Sequence, residues 1–334
     1  MTNLRFPIRR LPNDLCSMVL KTMDPHEMIA YSLTSKKALS LVQSLGLPLR
    51  SARIGMSYWP EIRLDFGQID VQFNWDMGAD DKEMTSLDDI PVKVNVSVQN
   101  IDDSTVFRRV TKSTIFNWPN HGKSIGEWIK HICSILRYES YEAFFHIGGI
   151  RFDIPTLQNN FPKLKKVFIN CVVMEPSEDD IKSTQNVLRA FLPHVKHFLL
   201  NRVPLQEDFS IQNIGMANLK ELEIYNPQNP KLDDLLTLNV ERCTILNDPF
   251  SLRDLNRFFK LWKKGSFPRL KYLWVHGNIG TIPACEVLLK GLHAIEVGRA
   301  VYSIQNCQGI RARINMVDNV HIGFVSVRFE VVCF

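Results

Sequence analysis

The chain has 334 residues, 45% of them hydrophobic and 22% charged, an ordinary composition for a folded domain and a length that accommodates about two. No run of about 18 apolar residues occurs, so no membrane span is expected. The net charge of +5 is too small on its own to argue for nucleic acid.

The charge is unevenly placed. Residues 1–50 hold seven Lys or Arg against three Asp or Glu, a net +4, which leaves +1 for the remainder. A basic amino-terminal segment suits an acidic partner surface; a solvated charged face explains it as well. The seven cysteines are widely spaced, with no C-x-x-C pair, and read as small hydrophobes in a reducing compartment. The first residues carry no apolar signal core, so a cytoplasmic or nuclear location is expected. The sequon Asn95-Val96-Ser97 then has no use.

In chain order, Leu11-Pro12 precedes a helix with Leu15, Met18, Val19, Thr22 and Met23 on one stripe. Asp24-Pro25-His26-Glu27 is a new start: Asp24 can cap, Pro25 suits the first helical position and Glu27 completes a capping box. Thr34 or Ser35 opens a third helix with Ala38, Leu41, Val42 and Leu45 inward, and Gly46 stops it. Three helices this short bury little by themselves, so their apolar residues point to a partner.

These residues carry a resemblance. Phe6-Pro7, Leu11-Pro12, Asp24-Pro25-x-Glu27 and Ser32-Leu33-x-Ser35-Lys36-Lys37 resemble the F-box of a large nematode family, over roughly residues 4–45. The resemblance implies docking onto the Skp-family adaptor, and through it a cullin, of an SCF-type ubiquitin ligase. It carries over adaptor-binding roles to Leu11, Pro12, Leu15, Val19, Leu20 and Met23. Ordinary helix core is the competing explanation for each. Cys16 and Ser17 make the first helix less apolar than in many F-boxes.

Residues 47–120 read as a strand-rich connecting region. Val92 to Val98 alternates apolar and polar over seven residues, the pattern of a half-buried strand. Asp76 to Glu83 reads as an acidic loop without calcium-loop spacing.

From Ser124 onward helices and strands alternate. Ser124–Glu127, Ser177–Asp180 and Ser251–Asp254 are start signals. The helices they open present Ile125/Trp128/Ile129/Ile132/Ile135/Leu136, Ile181/Leu188/Phe191/Leu192 and Leu252/Leu255/Phe258/Phe259/Trp262. Strands of the form Φ-x-x-Φ-x-Φ follow at Leu164/Val167/Ile169, Val195/Phe198/Leu200, Leu219/Leu222/Ile224, Leu235/Leu238/Val240, Leu270/Leu273/Val275 and Leu292/Ile295/Val297. Two of the five intervals fall within the ~20–29 residues of leucine-rich repeats. The expected fold is therefore α+β or α/β: an F-box over 1–46, the connecting region, and an irregular leucine-rich-repeat-like α/β solenoid over 121–334. A single irregular α/β domain is the alternative.

Leu232-Asp233-Asp234-Leu235-Leu236-Thr237-Leu238-Asn239 and Asp254 to Ser266 resemble the F-box-associated domain of the same nematode family, over about residues 195–280. That implies binding of an unidentified target protein. In the repeat reading, target contacts lie between the apolar strand positions: Lys196, Lys220, Glu221, Lys271 and Tyr272, with Lys165, Lys166, His197 and Glu223 nearby.

No catalytic constellation is found. G-x-x-x-x-G-K-[ST] and G-x-G-x-x-G are absent from the sequence. His194-x-x-His197 lacks a third ligand, and Asp179-Asp180 is helix-start charge. The expectation is a non-catalytic adaptor subunit without cofactor or metal, and with no nucleic-acid or membrane partner. An interaction module acting outside a ubiquitin ligase is the alternative. Burial of Trp262 separates these readings from an aromatic and basic patch gripping nucleic acid.

Overall fold

The computed structural model describes residues 11–57, 59–78, 86–102, 109–136, 138–148, 151–205, 210–227, 230–247, 250–278, 285–319 and 324–332. The chain forms two compact units, Met1–Phe144 with Pro155–Leu164, and Phe145–Ile154 with Lys165–Phe334. This partition differs from the expected 1–46, 47–120 and 121–334, because the amino-terminal helices share a unit with the strands that follow.

The first unit opens with α1 (Asn13–Leu20), α2 (Pro25–Ser32) and α3 (Lys36–Leu45). The Glu27 carboxylate accepts from the Asp24 N–H at 3.0 Å. The Ser35 hydroxyl accepts from the Ala38 N–H at 3.1 Å. Gly46 ends α3 at φ 63°, where a Cβ would be strained. Next come β1 (Ser51–Met56), β2 (Glu61–Asp65), β3 (Ile69–Asp76), β4 (Lys93–Asp102) and β5 (Arg109–Pro119), an antiparallel meander in sequence order. Val94, Val96 and Val98 on β4 are buried, as their alternation predicts. Helix α4 (Ile125–Leu136) starts with the Ser124 N–H donating to Glu127 at 2.9 Å and buries all six expected apolar residues. The acidic stretch is described only as far as Gly78, whose N–H donates to the Asp76 carboxylate at 2.9 Å; residues 79–83 lie outside the described residues.

The three short helices are seated on the rest of this unit. Gln43 Nε2 donates to the Ser134 carbonyl at 3.1 Å, Ser32 Oγ lies 2.9 Å from His131 Nε2, and the His26 ring stacks on Phe116 at 5.0 Å. The missing core of a three-helix module is thus supplied in part from within the chain.

The chain continues through β6 (Tyr141–Ile147), α5 (Ile154–Asn160), β7 (Leu164–Cys171), α6 (Glu178–Phe191), β8 (His197–Asn201), α7 (Ile211–Gly215) and β9 (Glu221–Tyr225). Then follow α8 (Leu232–Leu236), β10 (Arg242–Leu246), α9 (Leu252–Lys263), β11 (Tyr272–Asn278), α10 (Cys285–Leu289), β12 (Ile295–Gly298), β13 (Val301–Gln305), β14 (Arg311–Asn319) and β15 (Phe324–Val331). Strands β7 to β11 lie side by side in sequence order and parallel. Beyond β11 the order is β15, β14, β13, β12, all antiparallel. The sheet is mixed and the class α+β.

Two expected strands are corrected. Leu235 lies within helix α8, at whose start Asp234 accepts from the Lys231 N–H at 2.7 Å, and the true strand is Arg242–Leu246 with Cys243 and Ile245 buried. Leu292 is buried, but Ile295 and Val297 are 69% and 55% exposed on the edge strand β12, an antiparallel hairpin arm rather than a repeat.

Trp262 is buried. Its ring meets Phe329 edge-on at 5.0 Å, and Phe259 stacks on the same ring at 5.4 Å. That placement removes the nucleic-acid reading of α9. At the strand exits an amide ladder runs across the sheet. Asn201 donates to Asn170 at 2.8 Å, Asn226 to Asn201 at 2.9 Å and Asn247 to Asn226 at 2.9 Å. Asn226 and Asn247 have φ of 52° and 61°, a left-handed conformation that asparagine tolerates better than most residues.

Candidate functional site

The first candidate surface is on α1. Pro12 precedes the helix with φ −52° and ψ 150°, and its carbonyl accepts from the Cys16 N–H at 2.9 Å. Cys16 and Leu20 turn inward and are buried. The expected stripe turns outward: Leu15 is 45% and Met18 65% exposed, while Val19 and Met23 are half-buried. Leu11, also half-buried, helps line a small hollow with Cys16, Tyr31, Ala38 and Leu41. Of the six expected adaptor contacts, Leu20 sits in the helices' own core; Leu11, Pro12, Leu15, Val19 and Met23 remain at the surface. Exposed apolar side chains beside an apolar hollow are what a partner helix buries.

The second candidate surface is one face of the second unit's sheet. Strand residues alternate, so Phe198, Leu200, Leu222, Leu273 and Phe329 are buried on one side, and the other side carries half-buried or exposed residues. Cross-strand register places Lys166, His197, Glu221, Arg242, Tyr272 and Glu330 in one row. His197 Nδ1 lies 3.0 Å from Glu221, which is also 3.7 Å from Arg242 Nε. The Arg242 guanidinium sits 4.3 Å over the Tyr272 ring, a cation–π contact. Lys166 reaches across to Glu223 of the next row at 3.4 Å, and the Tyr225 hydroxyl donates to Glu223 at 2.5 Å. Burial, reinforced by Glu223, pushes that hydroxyl's pKa up.

The F-box domain matches residues 8–50, and the F-box associated family matches residues 210–275. The chain carries an F-box and an F-box associated segment. A Caenorhabditis elegans protein named F-box associated domain-containing protein sdz-33 is 24% identical over 307 residues, covering 90% of this chain and 89% of that protein. No solved structure matches the chain. The F-box match contains α1, α2 and α3, and the F-box associated match runs from α7 into β11.

The expected target contacts are spread over two levels of the open face. Glu221 and Tyr272 stand in the row just described. Lys196, Lys220 and Lys271 are exposed at the strand entrances, where the N–H groups of Lys220 and Glu221 both donate to the Lys196 carbonyl. Lys271 Nζ donates to Glu241 at 2.9 Å, and that bond holds the Glu241 carboxyl below its ordinary pKa. Sequence reasoning missed Arg242, Trp274, Arg313 and Arg328 on this face. Their signal was alternation with buried neighbours, obscured because the partners of β14 and β15 are set by register alone.

Chemistry-bearing residues have structural roles. Asp180 and Asp254 cap their helices through Ser177 and Ser251, where the helix dipole favours anions, and Asp179 pairs with Arg151 at 2.9 Å. Burial pushes the Cys133 thiol up to about 12 and raises Cys171, the opposite of an activated thiolate. Among the described residues, no three His, Cys, Asp or Glu side chains gather as metal ligands. None of the described helices is long and apolar enough to cross a membrane.

Proposed function

We propose that this chain is a non-catalytic substrate-recognition subunit of an SCF-type ubiquitin ligase. The F-box docks a Skp-family adaptor, and through it a cullin, by the outward stripe of α1 with Leu11 and Pro12. The open sheet face of the second unit holds the target protein. The observation that carries the reading is the F-box match over 8–50 coinciding with a helix that turns Leu15 and Met18 outward. Such a subunit needs no chemistry of its own, because holding a target lysine near the charged conjugating enzyme raises its effective concentration.

The test is affinity purification of the full chain followed by mass spectrometry. A Skp-family adaptor and a cullin should be recovered with the parent and lost together in a Leu11→Ala, Pro12→Ala variant. Recovery of target proteins with no adaptor would instead favour an interaction module working outside a ligase.

A further inference from the structure

The open face of the second unit divides into two electrostatic halves. On β7 to β10 the charges are mutually satisfied: Glu221 and Glu223 hold His197, Arg242 and Lys166. On β14 and β15 they are not. Arg311, Arg313 and Arg328 are exposed, and none has a carboxylate within ion-pair distance among the described residues. Among the described residues Glu330, across the register from Arg313, is the one acid on the open face of these two strands, so the three arginines outnumber it. Arg328 instead lies 5.5 Å over the Trp274 ring, whose indole N–H donates to Ser326 at 2.7 Å. The ring is thereby fixed as a half-buried platform.

We propose that this half of the face binds an extended acidic segment of the target protein, with an acid-x-acid spacing. This rests on the reading of the open face as the target surface. Arg313 opposes Glu330, and Arg328 opposes Asn315, so the two arginines are diagonal neighbours on adjacent strands, a spacing of about 7–8 Å. Alternate side chains of an extended chain point the same way about 6.6 Å apart. Two carboxylates at positions i and i+2 therefore reach both guanidiniums at once, and each guanidinium offers a fork matched to a carboxylate. Adjacent acids point to opposite sides and cannot. Trp274, opposite Arg328, then takes an apolar side chain two residues beyond the acid on Arg328.

The test uses the full chain with fluorescently labelled peptides of about ten residues, long enough to cross the arginine half. Three have equal composition and charge, with Glu-x-Glu, Glu-Glu or widely separated glutamates; a fourth has lysines for glutamates. The expected result is binding of the Glu-x-Glu peptide at least about tenfold tighter than the others, weakened by salt. Arg313→Gln, Arg328→Gln should remove that preference, and Arg253→Gln, Arg257→Gln on the exposed side of α9 should not. Equal binding of all glutamate spacings, or an unchanged preference in the Arg313→Gln, Arg328→Gln variant, overturns the inference. If charge-independent peptide binding is lost on Trp274→Ala, the face is the target surface and only the acidic segment is wrong. If no peptide binds, or a single-stranded oligonucleotide of matching length binds more tightly, both readings of the face fall.

Discussion

The Ser32 hydroxyl donates to the Ile29 carbonyl at 2.6 Å, so its 2.9 Å contact with His131 Nε2 makes His131 the donor in its neutral Nε2–H form. The bond joins α2 to α4 inside the first unit. Burial, with Lys123 adding to it, lowers the His131 pKa to about 4.

A base held below its unfolded pKa of about 6.5 is neutral in both states above that value. As pH falls below about 6.5 the unfolded chain takes up a proton that the folded chain refuses until about pH 4. Stability of the first unit should therefore be full above pH 6.5, decline toward about pH 4 and then level for this group. A His131→Gln variant, which keeps an amide donor near Ser32, should lose this part of the slope in thermal melts. An unchanged slope assigns the pH response to other groups.

Core and surface on α9 are separable. Trp262→Ala removes a buried ring packed on Phe329 and should destabilise by roughly 3–5 kcal/mol. Arg253→Ala, on the exposed side, should change stability by less than about 0.5 kcal/mol. Lys263 is a poorer control, because its Nζ donates to the Leu292 carbonyl at 2.5 Å. Denaturant midpoints measure all three.

The amide ladder makes a third prediction. Asn226 both donates to Asn201 and accepts from Asn247 at a positive φ. Asn226→Ala removes both bonds and places an ordinary side chain in the left-handed region, a cost of about 2 kcal/mol. Asn226→Gly loses the same bonds without the strain and should cost less. Equal destabilisation by the two variants would show that the backbone conformation contributes nothing.

Handling of the isolated protein should reflect α1. Leu15 and Met18 together form an exposed apolar stripe that promotes association. Co-expression with a Skp-family adaptor should raise the soluble yield, and equal yields with and without it would count against docking there.

Much of this architecture was legible locally. Caps at Glu27, Ser35, Glu127, Asp180 and Asp254 follow from side-chain reach over three residues, and all form. The Φ-x-x-Φ-x-Φ cores at Leu164, Val195, Leu219 and Leu270 mark real strands, because a buried strand face repeats every second residue. Leu235/Leu238/Val240 misled because its first apolar residue belongs to a capped helical turn, and Cys243 in the true strand is a weak signal. Leu292/Ile295/Val297 has the same spacing but enters an edge hairpin; spacing does not encode strand direction. The stripe on α1 was legible too, but not which way it faces, since α2 and α3 pack on the Cys16 side of the helix. The arginine half of the open face was hidden, because Arg313, Arg328 and Trp274 meet only through cross-strand register.

Docking of an adaptor at α1 underlies the whole proposed function. The decisive measurement is the amount of a Skp-family adaptor that co-purifies with the full chain and with a Leu15→Asp, Met18→Asp variant. Both side chains already face solvent, so the fold should persist, checked by an unchanged melting midpoint. Docking at α1 predicts stoichiometric recovery with the parent and a loss on the order of 10²-fold in affinity with the variant. Equal recovery of the adaptor by both proteins, or none by either, would contradict it.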